Sequence, residues 1–262
     1  MLPCCDVKNG HKPRILVLEV LDKANATGAP IAWIIVERVE VTDSMARKLE
    51  LSYLRLSERG NVPGYRGEFM ASYCPYTKLA SLSSTDPSGT GYVRLDLEGL
   101  EGQRIGTYLM NEVVQWLKQW PDAEINPIEL MSAHALDNTS KIRRNRFYER
   151  FGISFDFTDE NQKVGKSRPM TVSELQTVDT WRQNIREVRF DTYLEGMYHK
   201  QQLLEFELHE ASAAEKHLNR DLREASNRPF RWALAILLQR HGFGLVMTAG
   251  FAVIYFFYLL TR

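Results

Sequence analysis

The chain has 262 residues, which is enough for one sizeable globular domain with further elements. Lysine plus arginine and aspartate plus glutamate number 33 each, so the formal net charge is zero. This balance argues against a nucleic-acid-binding protein, whose binding face usually gives the chain a basic excess. Three cysteines without a Cys-x-x-Cys pair argue against both a disulfide framework and a zinc site, so we expect no metal.

Residues 1–13 are predicted to be a flexible N-terminus. Charged residues interrupt this segment before an apolar run forms, so we do not expect it to be a signal peptide. Cys4 and Cys5 are adjacent, and acylation of such a pair near a membrane is one interpretation. We favour the other, that they are unmodified thiols.

A folded domain is predicted over residues 14–170, and its first half has the character of strands. Apolar, β-branched and alternating segments indicate the strands, and turn residues separate them. The segment TDSMARK before the third strand leaves a helix start open as an alternative. The predicted strands are residues 14–21, 31–41, 48–57, a short one at 67–73 within the glycine- and proline-rich stretch 59–90, and 91–97.

The second half of this domain alternates helices and strands. Apolar residues from Ile105 to Trp120 recur at helical spacing, and Pro121 ends the predicted helix. A basic helix is predicted from Ser140 to about Phe151, where Gly152 follows. Further strands are predicted at residues 128–135, 153–157 and 164–170.

The loop from Gly99 to Thr107 joins the predicted strand 91–97 to the first helix. The first amides of a helix have no partners within it, and the helix dipole adds positive potential there. Glycines in such a loop let an anion approach the backbone. The pattern therefore predicts a site for a diphosphate group.

Two motifs carry a resemblance to a known family. EGQRIGTYLMNEVVQWL resembles the acetyl-coenzyme A diphosphate loop and the following helix of GNAT-type N-acetyltransferases. RRNRFYERFGI is similar to a later helix of that family, and the resemblance covers about residues 91–170. It implies an α/β (α+β) fold with a mixed, mostly antiparallel sheet flanked by helices, and acetyl-coenzyme A as co-substrate. The loop departs from the family pattern at Glu101 and Arg104 in one register and at Tyr108 in the other.

The resemblance also implies the residue roles. The backbone amide near Leu97 would hold the thioester carbonyl, and Tyr148 would give a proton to the departing thiolate. The amine needs a general base, for which Glu98, His134 and Asp96 remain open. The residues implied in coenzyme binding are Leu97, Gln103, Arg104, Ile105, Gly106, Thr107, Asn138 and Asn145.

A basic cluster lies on the second helix, and two interpretations remain open for it. In one interpretation the cluster meets the coenzyme 3′-phosphate or an acidic partner. In the other it is an ordinary solvated helix face. The acceptor is equally open, because a small amine, a protein amine and an aminoacyl group all fit. The cluster consists of Lys141, Arg143, Arg144, Arg146 and Arg150.

Residues 171–228 are charged and periodic, and we predict a helical stalk of one or two helices. Thr171 and Glu174 have the spacing of a capping box, which marks a helix start. A partial heptad pattern suggests pairing with a second copy, although Gly196 and polar seam positions weaken a coiled coil. Folding back onto the domain is the alternative.

The C-terminal run predicts a membrane anchor. Residues 242–260 carry no charge and match the ~20 residues that a transmembrane helix needs. Arginines precede this run in excess, which predicts a tail-anchored protein with a cytoplasmic N-terminal domain. Residues 229–241 are predicted as an interfacial helix, or as an extension of a tilted span. The competing functional hypothesis is a non-catalytic membrane adaptor that binds proteins.

Overall fold

The computed structural model describes residues 14–56, 66–82, 97, 99–135 and 137–240, which form a mixed α+β fold. The helices are α1 (Ile105–Leu117), α2 (Asn138–Arg150) and α3 (Phe190–Asn227). The strands are β1 (Ile15–Val20), β2 (Ala32–Thr42), β3 (Arg47–Leu56), β4 (Arg66–Cys74), β5 (Leu79–Ser81), β6 (Glu124–Ile125), β7 (Glu129–Leu130), β8 (Phe155–Phe157), β9 (Gly165–Ser167) and β10 (Ile185–Arg189).

Two sheets form the frame of the domain. The larger has the strand order β10-β1-β2-β3-β4-β5-β6, and every neighbouring pair is antiparallel except β5 and β6. The smaller has the order β7-β9-β8 and is antiparallel. The expected mixed, mostly antiparallel sheet with helices is therefore confirmed.

The core lies between the larger sheet and α1. Alternating burial along β2 and β3 puts residues such as Ile34, Leu49 and Leu51 on the covered face. Helix α1 packs on β3 and β4, with Leu109 and Val113 fully buried. Burying aliphatic side chains of this size supplies about 1.5–3 kcal/mol each, which makes this layer the main stabilising one.

The predicted strands at 14–21, 31–41 and 48–57 are confirmed, whereas the alternative helix start before the third is wrong. The carboxylate of Asp43 accepts hydrogen bonds from the backbone amides of Met45 (2.8 Å) and Ala46 (2.7 Å). These bonds close a tight turn between β2 and β3, which leaves no room for a helical turn.

The strand predicted over residues 128–135 is mostly wrong. Only Glu129–Leu130 pair as a strand, and Ser132–His134 form a 3-10 turn. The guanidinium of Arg144 donates a hydrogen bond to the carbonyl oxygen of Met131 (3.0 Å). A side chain from α2 therefore satisfies this backbone group where a strand neighbour was expected.

The predicted start of the stalk near residue 171 is also wrong. Glu174 does accept a hydrogen bond from the backbone amide of Thr171 (2.6 Å), but this capping box encloses a 3-10 turn, Val172–Glu174. Strand β10 then pairs with β1 in the larger sheet, and α3 begins only at Phe190. The first compact unit accordingly extends to Glu195, beyond the predicted boundary at 170.

Helix α3 runs without interruption through Gly196, so the stalk is one helix up to Asn227. Residues 229–240 are helical again, and Pro229 stands at the start as predicted. Among the described residues, no helix is both long and apolar enough to cross a bilayer. The predicted membrane span at 242–260, the N-terminal segment 1–13 and most of the predicted strand 91–97 lie outside the described residues.

Candidate functional site

The loop before α1 is anchored by apolar residues and ends in a left-handed residue. Leu97 and Leu100 are buried, and the backbone amide of Leu100 donates a hydrogen bond to the carbonyl oxygen of Leu97 (3.0 Å). Gly102 has φ +80°, a conformation that glycine adopts without strain. Arg104 has φ +66° and directly precedes the helix, so the loop turns sharply into α1.

Gln103 holds this loop against the β1–β2 turn. Its side-chain carbonyl oxygen accepts a hydrogen bond from the backbone amide of Lys23 (2.9 Å), and its side-chain amide donates to Asp22 (3.4 Å). Its backbone amide donates to the carbonyl oxygen of Leu100 (3.2 Å). The side chain of Gln103, a predicted coenzyme contact, therefore fixes the loop to this turn.

Asn184 completes the support of the loop, and sequence reasoning missed it. Its side-chain amide donates to the carbonyl oxygens of Leu21 (3.1 Å) and Gln103 (3.0 Å), while its side-chain oxygen accepts from the guanidinium of Arg104 (3.0 Å). Asn184 is 1% exposed, so these bonds are shielded from water. A single asparagine in a charged segment carries no motif that points to this role.

The supported loop presents the amide end of α1. Within the described part of the chain, the backbone amides of Ile105, Gly106 and Thr107 have no hydrogen-bond acceptor, and the first ladder bond runs from Tyr108 to the carbonyl oxygen of Arg104 (3.0 Å). Gly106 is partly exposed. No acidic residue lies in the first turn to offset the helix dipole. Ile105 and Thr107 are themselves buried, and an anion at this helix end would meet these three amides as donors.

Arginines add positive charge beside this helix end. Burial, and in addition the nearby charge of Arg150, lowers the pKa of the Arg104 guanidinium below its usual range. An arginine guanidinium carries positive charge at neutral pH. Arg150 is in the last turn of α2, and its charge acts on the guanidinium of Arg104, which directly precedes α1.

Tyr148 lies on α2 within an aromatic cluster. Its ring centroid is 5.2 Å from those of Phe147 and Phe155, and the residue is 3% exposed. The charge of Arg144 interacts with Tyr148, which opposes the lowering of the Arg144 pKa by burial. Gly152, with φ +82°, ends the helix as predicted, because the left-handed conformation closes its last turn.

The two asparagines predicted to contact the coenzyme have different surroundings. Asn138 is exposed at the start of α2, next to the capping residue Asp137. Asn145 is 8% exposed, donates to the carbonyl oxygen of Gln162 (3.2 Å) and accepts from Arg144 (3.0 Å). The side chain of Asn145 therefore connects α2 to the turn between β8 and β9, whereas Asn138 is exposed at the start of the helix.

Of the three candidate general bases, only His134 is among the described residues. Glu98 and Asp96 lie outside the described residues. His134 ends the 3-10 turn after β7, and only its backbone is described. The general base stays open between these residues.

Comparison with known proteins gives no match at any of three levels. No family model matches the chain, and neither the curated proteins nor the solved structures yield a significant match.

Proposed function

We propose that this chain is a membrane-anchored N-acetyltransferase that moves acetyl from acetyl-coenzyme A to an amine. The observation that carries the proposal is the row of backbone amides from Ile105 to Thr107, which have no acceptor among the described residues and are held in place by Gln103 and Asn184 and flanked by Arg104. Such a row favours a diphosphate group, because amides and dipole act together. The motif resemblance supplies the identity of the ligand.

The chemistry is a direct transfer. The free amine attacks the thioester carbonyl carbon, a carbon–nitrogen bond forms and the carbon–sulfur bond breaks. The thiolate takes a proton from Tyr148, and the proton of the amine passes to the general base. A backbone amide at Leu97 would stabilise the negative charge that develops on the carbonyl oxygen. Acceptor specificity would come from regions outside the two motifs.

Calorimetry of the full chain in mild detergent with acetyl-coenzyme A tests the proposal. Gly106→Asp should abolish binding, since a carboxylate would stand where the diphosphate is expected. An acidic residue in the first turn of a helix is in general stabilising by about 0.3–1 kcal/mol, and unchanged tryptophan fluorescence of the variant checks that it folds. Gly196→Asp on α3 is the matched control and should bind normally. Absence of binding by the unmodified chain at millimolar ligand would overturn the proposal.

A non-catalytic adaptor is the second candidate, and the apolar surface of α3 favours it. Within the described chain no residue of α3 is buried, although Leu204, Leu208 and Leu218 lie on it. An adaptor would use this helix and keep the domain as a rigid platform. It would be the better account if acetyl-coenzyme A does not bind and α3 still binds a protein.

Membrane attachment belongs to both candidates. Exposed apolar residues cover helix 229–240, among them Phe230 at 91% and Leu234 at 59%. An apolar surface of this kind next to the run 242–260 suits a bilayer interface. The full chain should float with liposomes in a density gradient, and a chain truncated after Arg240 should lose most of its binding. Equal flotation of both would reject 242–260 as the anchor.

A further inference from the structure

Helix α3 is long and carries exposed apolar side chains, as helices that pair with another chain do. It is 38 residues long, or ~57 Å at 1.5 Å per residue. Large apolar side chains are exposed along its length, from Leu194 at 49% to Leu222 at 58%. The first turn of α3 contacts the domain, where the ring of Tyr193 lies 5.0 Å from that of Trp33, but no residue of the helix is buried in the described chain. Helices are stabilised mainly by packing an apolar face, so the exposed length beyond this turn calls for a partner.

The spacing of its residues follows a heptad repeat. One set of positions from Phe190 to Ala225, here called the seam, is separated alternately by four and by three residues over five heptads. A strict 3.5-residue period keeps one seam facing a partner helix only if the two helices supercoil. Nine of the eleven seam positions are apolar; the full seam is Phe190, Leu194, Met197, Gln201, Leu204, Leu208, Ala211, Glu215, Leu218, Leu222 and Ala225.

We propose that α3 forms a parallel, in-register, two-stranded coiled coil with a second copy of this chain. In such a pair each seam residue faces its own copy. The flanking positions that meet across the interface are five residues apart, and they bring Lys200 to Glu205 of the other copy. The other flanking pairs, such as Glu207 with Ser212, join no like charges. The residues beside the seam are therefore compatible with a second copy of α3 that runs parallel to the first.

The polar seam positions define the register. Gln201 lies among apolar positions, and in the parallel pair it meets Gln201 of the other copy, where two amides hydrogen-bond to each other. A shifted register would bury each amide against leucine or methionine, which costs free energy. In the single chain the Gln201 side chain donates to Glu205 (2.9 Å), so it is directed along the flank of the seam.

Glu215 makes the dimer weaker than the apolar positions alone would. Two carboxylates meet at this level of the parallel pair, and like charges close together repel. Acidic residues at Glu205 and Glu207 also border the seam, which disfavours an anionic membrane surface as its occupant. The expected assembly is a dimer that dissociates on dilution.

Disulfide cross-linking of the full chain in detergent tests orientation. In a background of Cys4→Ser, Cys5→Ser and Cys74→Ala, Met197→Cys and Leu218→Cys should each cross-link to its own copy. Ala213→Cys, on the opposite side of α3, should cross-link at least about tenfold more slowly, because a disulfide needs Cα atoms within ~7 Å. If residue 197 of one copy cross-linked only to residue 218 of the other copy, the pair would be antiparallel, and this would overturn the proposal.

Sedimentation of the full chain tests the seam. The double variant Leu204→Asp with Leu208→Asp should be monomeric, while the domain keeps its tryptophan fluorescence. Phe206→Asp is the matched control, since Phe206 is 60% exposed but off the seam, and it should remain dimeric. A dimer that survives the double variant, or one that Phe206→Asp dissociates, would place the interface elsewhere. Coenzyme binding is read separately, so failure here leaves the proposed function untouched.

Discussion

The side-chain amide of Asn184 donates a hydrogen bond to the carbonyl oxygen of Gln103 at 3.0 Å, across 81 positions of the sequence. The same side chain bonds Leu21 and Arg104, so one buried residue joins the end of β1, the loop before α1 and the segment before β10. The geometry of the candidate diphosphate site therefore depends on a residue that touches no ligand.

Asn184→Ala should destabilise the domain by about 1–3 kcal/mol, because the carbonyl oxygens of Leu21 and Gln103 would lose a buried partner. Urea unfolding followed by tryptophan fluorescence measures this, since Trp181 is buried close by in sequence and reports on the domain. Asn219→Ala, on the exposed surface of α3, is the control and should change stability by less than about 0.5 kcal/mol. Equal stability of the two variants would contradict the supporting role.

Asp159 should contribute to the pH dependence of stability. Hydrogen bonds from the backbone amides of Val164 (2.7 Å) and Lys163 (2.8 Å), with Val164 the larger cause, lower the pKa of Asp159 below its usual 3.8. A depressed folded-state pKa gives stability that is present above the unfolded pKa and is lost as pH falls through the folded one.

Asp159→Asn should therefore flatten the fall in urea midpoint as the pH is lowered from about 5 to about 2. Asp156→Asn is the control in the same sheet. Its carboxylate is 69% exposed and pairs with an exposed arginine, so that variant should keep the steeper fall. Identical pH profiles for Asp159→Asn and the unmodified chain would rule out this contribution.

Tyr148→Phe should slow acetyl transfer about a hundredfold or more, the usual scale for a lost general acid. Coenzyme affinity should change little, because the ring keeps its packing on Phe147 and Phe155. Release of free coenzyme A with a panel of amines measures the rate. Tyr198→Phe, exposed on α3, should be indistinguishable from the unmodified chain. An unchanged rate in Tyr148→Phe would remove the proton-donor role.

Glu215→Leu should tighten the proposed dimer at least about tenfold, because it replaces facing carboxylates with apolar contact at one seam level. The dissociation constant from sedimentation equilibrium measures the change. Glu210→Leu, one of the off-seam positions, should leave it within about twofold, since surface positions contribute little. A weaker dimer in Glu215→Leu would contradict the assigned register.

The sequence predicted those elements whose pattern is local. Alternation in β2 and β3, helical spacing in α1 and the glycine stop after α2 all lie within a single element. Each of these patterns is either a regular spacing of apolar residues or a residue that ends a helix, and the structure confirms the elements that they predict. The mostly antiparallel sheet came from the motif resemblance, since no strand pattern by itself gives pairing.

Elements defined by distant partners were missed. Strand β10 is five residues long and lies in a charged segment, so its pairing with β1 leaves no periodic trace. The two-residue strand β6 is a strand because it pairs with β5, which lies more than 40 residues earlier. The contacts of Gln103 with Asp22 and Lys23 cannot be read from neighbouring residues either.

Of the described strands in the larger sheet, β1 is synthesised first and its neighbour β10 last. Until Arg189 has left the ribosome, one edge of β1 lacks the strand that pairs with it in the finished fold. An open strand edge is prone to pairing with other chains. Nascent chains should therefore depend on chaperones for most of translation, and a fragment cut at residue 170 would retain that exposed edge permanently.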